Sequence, residues 1–201
     1  MTTIDFEPTG DVALDPLLYE AQCEIQATYD FLLPDEMVAG AVHKACDFFG
    51  LPEVPVIHSS GVCVWPQDTD TVWDDVFGFS RTQMMEMGIQ GEDTLTLVYT
   101  HECAHRALQG VDGLEGKAEE LACDYLSGVH AAMAGIDATG FEQTLSQTME
   151  SDSHPSGSLR VEAIEYGQKV VEEMNALHIP LTLENCMELF DGFLDEHPEV
   201  R

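Results

Sequence analysis

The apolar positions change their period along the chain. Leu17, Leu18, Ala21, Ile25 and Tyr29 recur every three to four residues and predict a helix over 17–33, ended before Pro34. Asp35 reads as an N-cap with Glu36 in the first turn, and a second helix runs from Met37 to Phe49, where Gly50 stops it. From Pro52 the period shortens. Val54–Ile57, Val62–Trp65 and Val76–Phe79 are β-favouring runs between turn residues; they predict a sheet of about three strands, with a loop over 67–75. Helical spacing then returns. A short methionine-rich piece at Arg81–Met87 reads as core filler, and longer helices are expected over Asp93–Leu108, Glu115–Met133, Ala138–Met149, Leu159–Leu177 and Leu183–Leu194. The expected fold class is α+β, mostly helical with a small sheet. A length of 201 residues suits a single domain. Residues 1–15, acidic and interrupted by Pro8 and Gly10, read as a loosely attached arm, and residues 178–201 as a helical tail.

One of these helices carries chemistry. His101-Glu102-Cys103-Ala104-His105 lies inside the stretch expected to be helical over 93–108. Residues i and i+4 share a helix face, so two imidazoles at that spacing can bind one metal ion about 2 Å away. Glu102 stands one residue, roughly 100°, further round the helix, where it reaches a water held on the same ion. That is the arrangement in which the glutamate serves as general base of a metallohydrolase.

Two histidines do not complete a catalytic zinc site, which normally has three protein ligands and a water. The third ligand is expected on the next helix, from Glu119 or Glu120. We choose Glu120, because Asp124 follows at i+4 on its own face. A carboxylate there can accept the spare N–H of a ligating histidine. His154 lies in a loop fixed by Pro155, where a hydrogen-bond donor can face developing negative charge.

Together these residues resemble a family. His101-Glu-x-x-His105, a glycine-containing turn and Glu120-x-x-x-Asp124 are similar to the gluzincin zinc metallopeptidases. Ser153-His154-Pro155-Ser156, with Arg160 six residues after His154, narrows the likeness to the CAAX prenyl proteases, the HtpX-type heat-shock peptidases and the soluble minigluzincins. The lead-in from Phe79 to Tyr99 adds to it, and the resemblance spans about residues 52–175. It implies a zincin-like core and one zinc ion held by His101, His105 and Glu120. It further implies that Glu102 is the base, Asp124 orients a ligand histidine, His154 donates to the oxyanion and Arg160 braces the His154 loop. The implied substrate is a peptide or protein. The strand near Phe77–Ser80 would offer an edge to which an extended peptide adds.

Charge and cysteines narrow the partners. Thirty-eight acidic residues against seven basic ones give a net charge of −31, which repels nucleic acid and anionic membranes. No apolar run approaches the ~20 residues of a membrane span, and no signal peptide is visible, so a cytoplasmic protein is expected. Cysteines at 23, 46, 63, 103, 123 and 186 form no C-x-x-C pair and read as buried thiols, although Cys123 falls near the second ligand patch. Three rival readings follow. The first is a catalytically silent or self-occluded zincin-fold binding protein, with Cys186, Glu196 and His197 folding back onto the metal. The second is a protein that works through its acidic surface. The third is a zinc amidase acting on non-peptide substrates. His58 beside Ser59 and Ser60 lacks the Gly-x-Ser-x-Gly elbow of a serine hydrolase.

Overall fold

Two helices touch backbone to backbone, and that crossing sets the frame for the rest. A computed structural model describes residues 8–52, 55–58, 63–64, 77–111 and 113–200. Among them the helices are α1 (Asp15–Leu32), α2 (Asp35–Phe49), α3 (Arg81–Glu86), α4 (Glu92–Ala107), α5 (Lys117–Ala134), α6 (Thr139–Ser146), α7 (Gly157–Leu177) and α8 (Leu183–Glu196). A 3₁₀ turn, Pro198–Val200, follows. The strands are β1 (Val56–His58), β2 (Cys63–Val64) and β3 (Phe77–Phe79). The protein is therefore mostly helical with a small sheet, as the periodicity implies. Expected features at residues 1–7, Val54, Ser59, Ser60, Val62, Trp65, the 67–75 loop and Val76 lie outside the described residues.

The close crossing is between α5 and α7. A Cβ on Gly128 would stand 2.0 Å from the Ile164 carbonyl oxygen, and one on Gly167 would stand 2.1 Å from the Tyr125 carbonyl oxygen. Neither position tolerates a side chain unless the helices separate. The crossing draws Arg160 of α7 against the ligand-bearing side of α5.

The apolar core has two parts, on either side of α4 and α5. Val38, Ala41 and Val42 of α2, Phe77 and Phe79 of β3, and Leu95, Leu97 and Tyr99 of α4 form one part. Tyr125, Leu126 and Val129 of α5, Val170 and Met174 of α7, and Phe190 and Phe193 of α8 form the other. Every residue of α4 from Thr94 to His101 is buried, so this stretch of the helix is enclosed on all sides. Two of its buried hydroxyls bond within the helix: Thr96 Oγ1 donates to the Glu92 carbonyl and Thr100 Oγ1 to the Thr96 carbonyl, both at 2.8 Å. Burying each large apolar side chain here contributes about 1.5–3 kcal/mol.

Three local expectations need correction. Helix α1 begins at Asp15 and takes in Pro16, which the first turn accepts because that N–H has no helical partner. The arm before it is tied down in part, since the backbone N–H groups of Thr9 and Gly10 donate to the Asp15 carboxylate. Asp35 does not cap α2. It is the first helical residue after Pro34, and its carboxylate accepts from Arg81 instead. Finally, β3 offers no edge to a peptide. It is the middle strand, parallel to β1 through Val56 and Phe77 and antiparallel to β2 through Cys63 and Gly78. Phe77, Gly78 and Phe79 are all buried.

The described cysteines 23, 46, 103, 123 and 186 are free thiols. Cys103, on the core side of α4, lies 3.9 Å from Cys46 of α2, sulfur to sulfur. No helix among the described residues is long and apolar enough to cross a membrane.

Candidate metal centre

Helix α4 carries His101, Glu102 and His105, and α5 carries Glu119, Glu120, Cys123 and Asp124. The connection between them reverses in a few residues, with Gly110 and Gly113 at φ 83° and 86°, in the left-handed region that favours glycine. Residues 120, 123 and 124 are spaced i, i+3 and i+4, so they share the face of α5 turned toward α4.

The two imidazoles stand edge to face, with ring centroids 5.0 Å apart. Each Nδ1 has a carboxylate partner: His101 Nδ1 lies 2.9 Å from Asp124 Oδ1, and His105 Nδ1 lies 2.8 Å from Glu119 Oε1. A neutral ring that donates from Nδ1 presents an unprotonated Nε2. Both Nε2 atoms face one carboxylate, at 3.4 Å from His101 to Glu120 Oε2 and 3.5 Å from His105 to Glu120 Oε1. Two ligand atoms on a tetrahedral zinc ion are about 3.3 Å apart when each bond is ~2.05 Å. Each histidine Nε2 therefore stands from a Glu120 oxygen at about the separation of two ligand atoms on one ion.

The shell behind the ligands is charged and buried. Asp124 is fully enclosed and accepts from Arg160 Nε at 2.6 Å and Nη2 at 3.0 Å, besides His101. Arg160 Nη2 also comes within 3.6 Å of Glu120 Oε2. The resemblance implied that Arg160 braces the His154 loop. Its guanidinium is instead buried on Asp124, because the α5–α7 crossing leaves that carboxylate the nearest fixed anion. The ion pair is buried on both sides.

His154 stands across the cleft, half-exposed, with Nε2 3.7 Å from Glu120 Oε1. Its Nδ1 lies 2.8 Å from Ser153 Oγ. When that hydroxyl donates to Nδ1, Nε2 carries the ring proton and points a donor into the cleft. Glu102, half-buried, lines the same cavity of about 310 Å³, whose apolar wall is Met87, Val98, Phe141 and Leu145.

The carboxylates around His101 draw positive charge to this point. Burial alone would lower the His101 pKa, but the Asp124 and Glu120 carboxylates overturn that and push it up to about 10. Burial would raise Glu120, yet hydrogen bonding and attraction from His101, with His105 and Arg160 behind, hold it at about 2. Without a metal, a proton on His101 supplies the missing positive charge between Asp124 and Glu120. Glu102 is raised above the usual carboxyl value by burial, and the two imidazoles oppose the shift.

One residue here escaped the sequence reading, and a second, Cys123, was noted there without a role. Glu119, set aside in favour of Glu120, holds His105 as Asp124 holds His101. Its signal was present: two histidines need two orienting partners, and only one had been named. Cys123 is fully buried beside the ligands, and its Sγ, with a ring nitrogen of each histidine, forms a group whose atoms all lie within 4.8 Å of one another. That is a second donor set able to hold a metal ion. The C-terminal groups do not fold back onto this site. Cys186 is buried, with its carbonyl accepting from Tyr125 Oη, while His197 lies 3.6 Å from Glu162 of α7, and neither these nor Glu196 lines the cleft.

Comparison of the chain with protein-family models, with curated proteins and with solved structures gives no significant match.

Proposed function

We propose that this protein is a zinc-dependent metallopeptidase of the gluzincin kind, with a zincin-like fold and a peptide or protein substrate. The observation that carries the reading is that His101 Nε2 and His105 Nε2 each face the Glu120 carboxylate, at 3.4 Å and 3.5 Å from its two oxygens. The free thiols suit a reducing, cytoplasmic setting. The net charge of −31 leaves nucleic acid and anionic membrane surfaces as poor partners.

His101, His105 and Glu120 would hold the ion, which supplies Lewis acidity for water activation and carbonyl polarisation. Glu102, one residue round the helix from His101 and open to the same cleft, takes the proton of the attacking water. Its raised pKa suits it to keep that proton and pass it to the departing amine. His154, with Nδ1 held by Ser153, donates from Nε2 toward the oxygen that gains charge as the peptide carbonyl is attacked. Asp124 and Glu119 fix the ligand rings, and Arg160 offsets part of their negative charge. The apolar wall of Met87, Val98, Phe141 and Leu145 shelters the reacting bond from water.

The test is zinc content together with proteolysis of a casein-type substrate, for the native chain and two variants. One zinc per chain is expected. Glu120→Gln should weaken its retention, and Glu102→Gln should keep the metal while lowering turnover about 10²–10⁴-fold. A chain with no zinc affinity would overturn the reading. Zinc bound without proteolysis would leave a metal-binding protein of another kind.

A further inference from the structure

Glu120 is not the only donor that α5 offers to the histidine pair. Cys123, one turn further along the same face, is fully buried; its carbonyl accepts from Ser127 Oγ, while its thiol makes no hydrogen bond among the described residues. Its Sγ and a ring nitrogen of each of His101 and His105 lie within 4.8 Å of one another. In a tetrahedral site with one thiolate, sulfur and imidazole nitrogen stand about 3.6 Å apart, from bonds of ~2.3 Å and ~2.05 Å. The gap is therefore at most about 1.2 Å, within reach of side-chain rotation. The thiol has no partner to give up in that move.

We propose that the site has two alternative third ligands on one helix. Glu120 serves a borderline ion such as zinc, and Cys123 serves a thiophilic ion such as cadmium or copper(I), which then leaves Glu120 uncoordinated. Ligand softness drives the choice: carboxylate oxygen competes poorly with sulfur for soft ions. As the metal–sulfur bond forms, the S–H bond breaks and its proton leaves to solvent, so no oxidant or reductant is involved. Cys123 is fully buried and Glu120 lines the cleft, so a sulfur-bound ion would be drawn away from Glu102 and His154. A thiophilic ion would thus be held firmly and silence the hydrolytic site. This inference rests on the histidine pair binding metal, and deepens the reading above by naming what regulates it.

Cadmium is the probe. The metal-free full chain is titrated with Cd²⁺ while the thiolate-to-metal charge-transfer absorption is followed. The native chain should give one thiolate band that saturates at one equivalent. Cys123→Ser and, as a second route should serine disturb folding, Cys123→Ala should abolish the band, as should His101→Ala. Glu120→Gln should lose zinc affinity about tenfold or more yet keep the band and most of its cadmium affinity. No band in the native chain, a band that survives in both Cys123 variants, or equal loss of zinc and cadmium in Glu120→Gln overturns the inference. Zinc bound at one per chain with no cadmium band refutes the switch and leaves the zinc reading standing. A cadmium band without zinc affinity does the reverse.

Discussion

Two buried histidines sit on neighbouring helices and end in opposite states. His101 faces Asp124 and Glu120, and its pKa is pushed up to about 10. His130, on α5, stacks on Phe48 at 4.2 Å between centroids and is lowered to about 4, chiefly by burial and further by Lys44. The ring of His130 is close to Thr100, the residue before His101, with Thr100 Oγ1 2.7 Å from its Nδ1. That hydroxyl already donates to the Thr96 carbonyl, so the imidazole must donate and carries its proton on Nδ1. Successive residues of α4 thus look into different media: one a cluster of anions that needs a cation, the other an apolar slot that admits only a neutral ring. Burial is common to both. The neighbouring carboxylates make the difference.

The sharpest way to break the contrast is to remove the anion behind His101. Asp124→Asn leaves the amide in place but takes away the charge that holds His101 and Arg160. Zinc affinity should fall about 10–100-fold, and stability by about 3–5 kcal/mol, because Arg160 is left buried without its partner. Glu119→Gln makes the corresponding change behind His105, but its side chain is 35% exposed, so the loss of zinc affinity should be smaller. Metal titrations of the two variants rank the carboxylates. Equal losses would mean that burial of the partner carboxylate is irrelevant here.

How much of this was legible in the chain follows from the same contrast. The helices were readable because their apolar spacing is regular and glycines and prolines mark their ends; every expected helix appears, shifted by a few residues at its termini. The proposed ligand set could be assembled from the sequence because His101, His105 and Glu120 sit at fixed spacings on two consecutive helices. What lay hidden depends on tertiary contact. Arg160 could be placed on Asp124 only through the crossing at Gly128 and Gly167, which no local pattern announces. The central position of β3 needed the strand order. Glu119 and Cys123 needed the rotation of α5 about its axis, which decides which of four neighbouring side chains faces α4.

A second test turns on pH and should run in opposite directions for the two rings. His130 has a depressed folded pKa, so its contribution to stability is present above the usual value of about 6.5 and is lost as pH falls toward 4. The loss is on the order of 3 kcal/mol at most. It is read as the difference in denaturation midpoint between the native chain and His130→Phe across that window. In the metal-free protein His101 has a raised pKa. Its contribution is full below about pH 6.5 and disappears as pH rises toward 10. Saturating zinc should remove this second slope and leave the first, since a bound ion takes the place of the His101 proton alone. Two slopes of the same sign would show that the carboxylates do not distinguish the rings.

The smallest effect expected is at the residue between them. Thr100→Val keeps the shape of the side chain but takes away the oxygen that accepts from His130. The orphaned donor should cost about 1–2 kcal/mol of stability in thermal or denaturant unfolding. Zinc affinity should stay within about twofold of native, because the His101 ring is positioned from the other side by Asp124, which the substitution does not touch. This separates two accounts of α4. If the helix backbone transmits disturbance from Thr100 to His101, the valine variant should lose metal as Asp124→Asn does, and the two environments would be one coupled network. If each ring is held by its own partner, the valine variant loses stability and keeps its metal. The hydrogen bonds favour the second account: among the described residues, the Thr100 side chain bonds to Thr96 and His130 and to no group that holds the ligands.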